Sequence, residues 1–151
     1  MTIWLRFLGI WMQSGLHDVG FGAAHLEALL VEDDDLDARI LKTLAGMNGE
    51  CVVRFTHART ITEAKALTRD SKYDMYFIDL NVGEGSALAL LANLERAGAR
   101  PVVVSNVSRS EAKRYRLDAG GMRFLPKGDC TPASVGALVR EALDARSAAG
   151  S

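Results

Sequence analysis

Four acidic residues, Glu32, Asp33, Asp34 and Asp35, follow the apolar run Leu29-Leu30-Val31, and a second apolar run, Met75 to Ile78, ends on Asp79. If these runs are neighbouring parallel strands, Glu32, Asp33 and Asp79 meet at the carboxyl edge of the sheet, where open α/β folds place ligands. Carboxylates held a few ångströms apart repel one another, so the group needs a proton or a cation. Magnesium suits it, because that ion takes a small number of carboxylates, keeps several waters and completes its shell with phosphate oxygens. On this reading Asp33 and Asp79 are ligands, Glu32 binds directly or through water, and the backbone carbonyl of Asn81 adds a further oxygen. Lys127 closes the segment Phe124-Leu125-Pro126-Lys127 and can reach across the same edge, first to Asp79 and later to phosphoryl oxygens. Ser105 and Asn106 end another apolar run and offer a hydroxyl and an amide as donors. Together these groups could carry in-line attack by the Asp79 carboxylate on a phosphoryl group.

The elements that must position them follow from the patterning. From Leu26 onward short apolar runs alternate with amphipathic stretches, the rhythm of a parallel sheet with helices on both faces. Strands are expected over 26–31, 51–56, 73–79, 101–105 and 122–125, and helices over 35–47, 60–70, 86–97, 109–119 and 131–146. Thr60 and Thr131 read as helix N-caps, and Gly98 and Gly120-Gly121 as helix ends. The first, third and fourth strands are continuously apolar and should be central. The second carries Arg54 and the fifth Arg123, which marks them as edges. The predicted fold is α/β, a doubly wound five-stranded parallel sheet of order 2-1-3-4-5, with its switch point beside the acidic residues.

A length of 151 residues suits one domain, and 18 basic against 19 acidic residues give a formal charge of −1, with no overall field for nucleic acid or an anionic membrane. Residues 26–146 make up the expected domain, with a frayed tail over 147–151. Residues 1–25 read as an extension, either helical, with Ile3, Trp4, Phe7, Leu8 and Trp11 sharing one face, or loosely ordered. The apolar stretch there is too short to cross a bilayer, which takes about 20 residues, and lacks the cationic leader of a signal peptide. Cys51 and Cys130 have no metal-ligand spacing and fit a reducing, cytoplasmic setting. His17, His25 and His57 are scattered and read as surface or packing residues, and the basic run Arg109, Lys113, Arg114, Arg116 and Arg123 as a solvated face. Taken singly, the acidic run could be only a helix N-terminus, Asp79 a turn cap and Lys127 a loop lysine. Their register is what argues for a site.

With those residues placed, the stretch from Leu26 to Arg146 resembles the receiver domain of two-component response regulators. Leu29 to Asp34 is similar to that family's first strand and acidic pair, Tyr73 to Asn81 to its third strand, and Pro101 to Asn106 to its fourth. Ala119-Gly120-Gly121 resembles the turn before the fifth strand. The resemblance implies that Glu32 and Asp33 organise Mg2+, that Asp79 is the phosphoacceptor, that Lys127 is the site lysine and Phe124 the switch aromatic. Counting from Pro101 selects Asn106 as the switch residue, whereas counting back from Lys127 selects Ser105. The chain departs from the family where Val82-Gly83 and Ala87 stand after the acceptor, which predicts a more mobile loop, and where Gly128 replaces a proline.

The implied function is that of a stand-alone response regulator, not an enzyme acting on other substrates. It would be phosphorylated by a histidine kinase or histidine phosphotransfer protein and would signal by protein contact as a shuttle, phosphate sink or kinase modulator. The extension or the face of the fourth helix, fifth strand and fifth helix could support a homodimer. Three rivals compete with this reading. A degenerate receiver would bind partners without phosphorylation. A phosphatase of the haloacid dehalogenase type would need a second Asp where Asn81 stands. A flavodoxin-like cofactor binder would need a Gly-rich loop after the first strand.

Overall fold

A computed structural model describes residues 24–83, 85–117 and 122–150. The expected extension over 1–25 therefore lies outside the described residues up to position 23, as do His17 and Ala119-Gly120-Gly121. Five parallel strands form one sheet: β1 (His25–Val31), β2 (Val52–Ala58), β3 (Met75–Ile78), β4 (Val102–Ser105) and β5 (Arg123–Pro126). Their order is β2-β1-β3-β4-β5, as the patterning predicts. Two short strands, Asn81–Val82 and Gly85–Ser86, pair as a separate antiparallel hairpin and carry no number here.

Among the described residues five α-helices, α1 (Asp35–Gly46), α2 (Ile61–Asp70), α3 (Leu88–Arg96), α4 (Arg109–Arg114) and α5 (Pro132–Ala149), cover the two faces. Successive strand residues face opposite ways, so each central strand feeds two cores. Leu29, Val31, Ile78 and Val103 pack with Ile61, Ala64, Leu90, Leu91, Leu94 and Ala112 of α2, α3 and α4. Leu30, Phe77, Val102 and Val104 pack with Ala38, Leu41 and Ala45 of α1 and Val135 and Val139 of α5. Every residue of β3 and β4 is buried, whereas β2 alternates and β5 exposes Arg123, so the central and edge assignments hold.

Local chemistry sets the ends of the helices. Thr60 and Thr131 accept from Glu63 N and Ser134 N and cap α2 and α5 as expected. Gly98, at φ 84, ends α3 in a Schellman turn in which Ala99 N donates to Leu94 O. The helix expected over 109–119 instead stops at Arg114. Arg116 takes the left-handed conformation at φ 57, and Leu117 N donates back to Ala112 O, turning the buried Leu117 side chain into the core. At the other end of the chain α5 continues to Ala149, three residues into the stretch expected to fray.

Candidate functional site

The carboxyl ends of β1 and β3 are locked in register, with Val31 opposite Ile78, and Asp79 N donates to Val31 O at 3.0 Å. That pairing sets Glu32 beside Asp79. Both side chains are buried, whereas Asp33 is exposed, and single oxygens from the three lie within 4.8 Å of one another. An all-oxygen group of this kind, open on one side, fits a hard cation such as Mg2+ better than a soft one. Lys127 enters from the end of β5. Its Nζ lies 2.9 Å from Glu32 Oε2, 2.9 Å from Asp79 Oδ2 and 2.7 Å from Asp37 Oδ2. The remaining Asp79 oxygen, Oδ1, accepts from Asn81 N at 3.1 Å. These groups edge a cavity of about 80 Å3 whose other walls include Leu30, Ile40, Leu41 and Val104. A larger cavity of about 420 Å3 lies at the amino ends of β3 and β4, away from the carboxylates.

Burial drives the Glu32 carboxyl from its ordinary 4.5 up to about 7; its bonds to Lys127 and Asp34 N oppose that rise and the Asp79 charge adds to it. Burial by itself would lower the Lys127 ammonium, but hydrogen bonds to Asp37, Asp79 and Glu32 outweigh it and raise the group above its usual range. The lysine is therefore a lasting positive charge among the carboxylates, and burial gives Glu32 a raised proton affinity beside it.

No protein-family model matches the sequence, and no curated protein does. Solved structures do. The signal receiver domain of an HD domain-containing protein from Pseudomonas fluorescens Pf-5 superposes with TM-score 0.66 at 18% identity, over 87% of this chain and 96% of that one. A response regulator receiver domain from Methylobacillus flagellatus gives TM-score 0.60 at 25% identity over 79% and 99%. The phosphorylated cyanobacterial phytochrome response regulator RcpA gives 0.62 at 21% over 78% and 91%. This is the receiver fold.

Within the receiver fold, the residues singled out from the sequence separate by position. Ser105 is the last residue of β4, opposite Pro126 in register, and is fully buried; its hydroxyl has no hydrogen-bond partner among the described residues. Asn106 is exposed in the bend that follows. By strand alternation Ser105 shares the α2–α3–α4 face with Phe124, which is partly buried against that core. The loop after Asp79, read from Val82-Gly83 and Ala87 as a more mobile one, has a defined geometry. It folds as the hairpin, with Gly83 at φ 59 and its N–H donating to Asp33 Oδ2 at 3.1 Å.

Two residues of the site escaped the sequence reading. Asp37 joins Lys127 from the first turn of α1; its place four residues before the buried Leu41, on the same face, was an available signal. His57 Nε2–H donates to Glu32 O at 2.7 Å, which fixes its tautomer and steadies the backbone at the acid pair. Only the β1–β2 pairing brings it there. Of the basic run, Arg109 pairs with Asp129 at 3.0 Å and Arg123 with Glu141, as a solvated face should. Cys51 and Cys130 are half-buried free thiols, both pushed up by burial.

Proposed function

We propose that this receiver-fold chain accepts a phosphoryl group on Asp79 in two-component signalling, from a histidine kinase or histidine phosphotransfer protein. The observation that carries the reading is the convergence of Lys127 on Asp79 at 2.9 Å within the Glu32, Asp33 and Asp79 oxygen group. Bound Mg2+, held by Glu32, Asp33, Asp79 and the Asn81 carbonyl, would supply charge neutralisation for the carboxylates and for incoming phosphoryl oxygens. Asp79 is buried and oriented at both oxygens, by Asn81 N and by Lys127, so its carboxylate is aimed before the donor arrives. One carboxylate oxygen forms the bond to phosphorus as the bond from phosphorus to the donor breaks. The electron pair leaves on the donor atom, which takes up a proton. Lys127 then donates to a phosphoryl oxygen in place of the carboxylate, now an acyl phosphate. Ser105, with an unpartnered buried hydroxyl, is the switch donor we favour over the exposed Asn106. Its shared face with Phe124 supports an output through protein contact at α4, β5 and α5.

The phosphatase reading is disfavoured, because the amide of Asn81 cannot serve as the general acid a second aspartate would provide. The degenerate-receiver reading has no missing carboxylate or lysine to support it. Incubation with Mg2+ and a small phosphodonor such as phosphoramidate is expected to add one phosphoryl mass to the wild-type chain and none to Asp79→Asn. An unmodified wild type would sink this proposal, and sustained turnover of an added phosphate ester would favour the enzyme.

A further inference from the structure

We infer that Asp37 is a positioning residue for Lys127, holding the ammonium in place while its other two carboxylate partners are engaged by the reaction. The inference rests on the reading of Asp79 as phosphoacceptor. An ammonium has three hydrogens. Glu32, Asp37 and Asp79 take one each, at 2.9, 2.7 and 2.9 Å, so the lysine is fully committed in the resting site. Phosphorylation changes two of the three partners. Asp79 becomes an acyl phosphate as its oxygen bonds to phosphorus, and Glu32 belongs to the oxygen group that faces the cation. Asp37 stands outside that group, so its bond to Lys127 alone survives unchanged.

The geometry around Asp37 suits that task. Its N–H donates to Asp34 Oδ1 at 2.9 Å, which pins the first turn of α1, and the adjacent Ala38 and nearby Leu41 are buried against the α1–α5 core. Lys127 by contrast opens a single 3-10 turn, Lys127–Asp129, on a flexible four-carbon stem that loses rotamer entropy whenever it is fixed. A rigid helix turn thus orients a side chain that its own short turn leaves free to rotate. The link joins α1 to the end of β5 across 90 positions of sequence.

The test is a double-mutant cycle on the full chain with phosphoramidate and saturating Mg2+, reading the rate of phosphoryl addition by intact mass. Asp37→Ala is expected to slow addition roughly tenfold, the lower end for a charge-assisted bond because this carboxylate is over a third exposed. Asp37→Asn, which keeps an acceptor oxygen without the charge, should fall between Ala and wild type. In a Lys127→Ala background, Asp37→Ala should change the rate by less than about twofold, since its effect runs through the lysine. Circular dichroism on each variant separates a lost fold from a lost contact. An equal slowing in both backgrounds, or no slowing in the wild-type background, overturns the inference while leaving the phosphoacceptor reading intact. A wild type that takes up no phosphoryl group, or an Asp79→Asn variant that takes it up equally, overturns both.

Discussion

Lys127 is the residue on which the carboxylates of this site are balanced, and the acidic residues around the start of α1 divide their labour around it. Glu32 and Asp33 join Asp79 in one oxygen group, Asp34 caps α1 through Asp37 N, Asp35 pairs with Arg59, and Asp37 turns back to the lysine. The capping reading of that run holds for Asp34, while Glu32 and Asp33 lie in the oxygen group with Asp79. Glu32 carries a pH signature. Its carboxyl keeps its proton up to about 7 in the fold, against 4.5 ordinarily, so the folded chain binds a proton that the unfolded chain has released. The metal-free fold should therefore lose stability as pH rises from about 4.5 to about 7. Glu32→Gln removes that loss: its urea midpoint should match the wild type near about pH 4.5 and exceed it near about pH 8. Equal midpoints at both would show that burial does not hold the proton there. Added Mg2+ should stabilise the wild type by about 2.7 kcal/mol at a hundredfold excess over its Kd, and much less in Asp33→Asn, read by thermal melting.

At the scale of elements, two helices end in the same hydrogen-bond pattern with different residues. α3 ends at Gly98, which adopts φ 84 without a Cβ penalty, and the sequence announces it. α4 ends at Arg116, φ 57, and nothing in the residue type does; the stop comes from burying Leu117 against Ala112 and the α2–α3 core. Arg116→Gly should accordingly stabilise the domain by about 1 kcal/mol, and Gly98→Ala should destabilise it by a similar amount, both measured by urea unfolding. If Arg116→Gly were instead destabilising, the left-handed residue would be held by side-chain contacts and not merely tolerated. The hairpin after Asp79 makes the same point: Gly83 is legible as a turn residue, but its bond to Asp33 depends on two strands meeting fifty positions apart.

For the whole molecule, the sheet is the platform, and its centre is Phe77, fully buried on β3 between α1 and α5. Phe77→Ala should cost about 3–5 kcal/mol in urea unfolding, while Val52→Ala, exposed on the edge strand β2, should cost well under 1 kcal/mol. Among the described residues no helix is long and apolar enough to cross a membrane. The architecture was legible in the sequence: the continuous apolar runs of β1, β3 and β4 and the charges in β2 and β5 separate central from edge strands, and the usual doubly wound solution then gives the observed order. The sequence also named Asp33, Asp79 and Lys127, because the carboxyl ends of all parallel strands in one sheet lie along the same edge. Only the tertiary structure decided which further groups reach that edge. Asp37 and His57 arrive on a helix turn and a neighbouring strand, and Ser105 rather than Asn106 is buried, because β4 pairs with β5 through Ser105 and stops there. Those outcomes depend on helix rotation and strand register, which are set by packing across the sheet and leave no local mark in residue order.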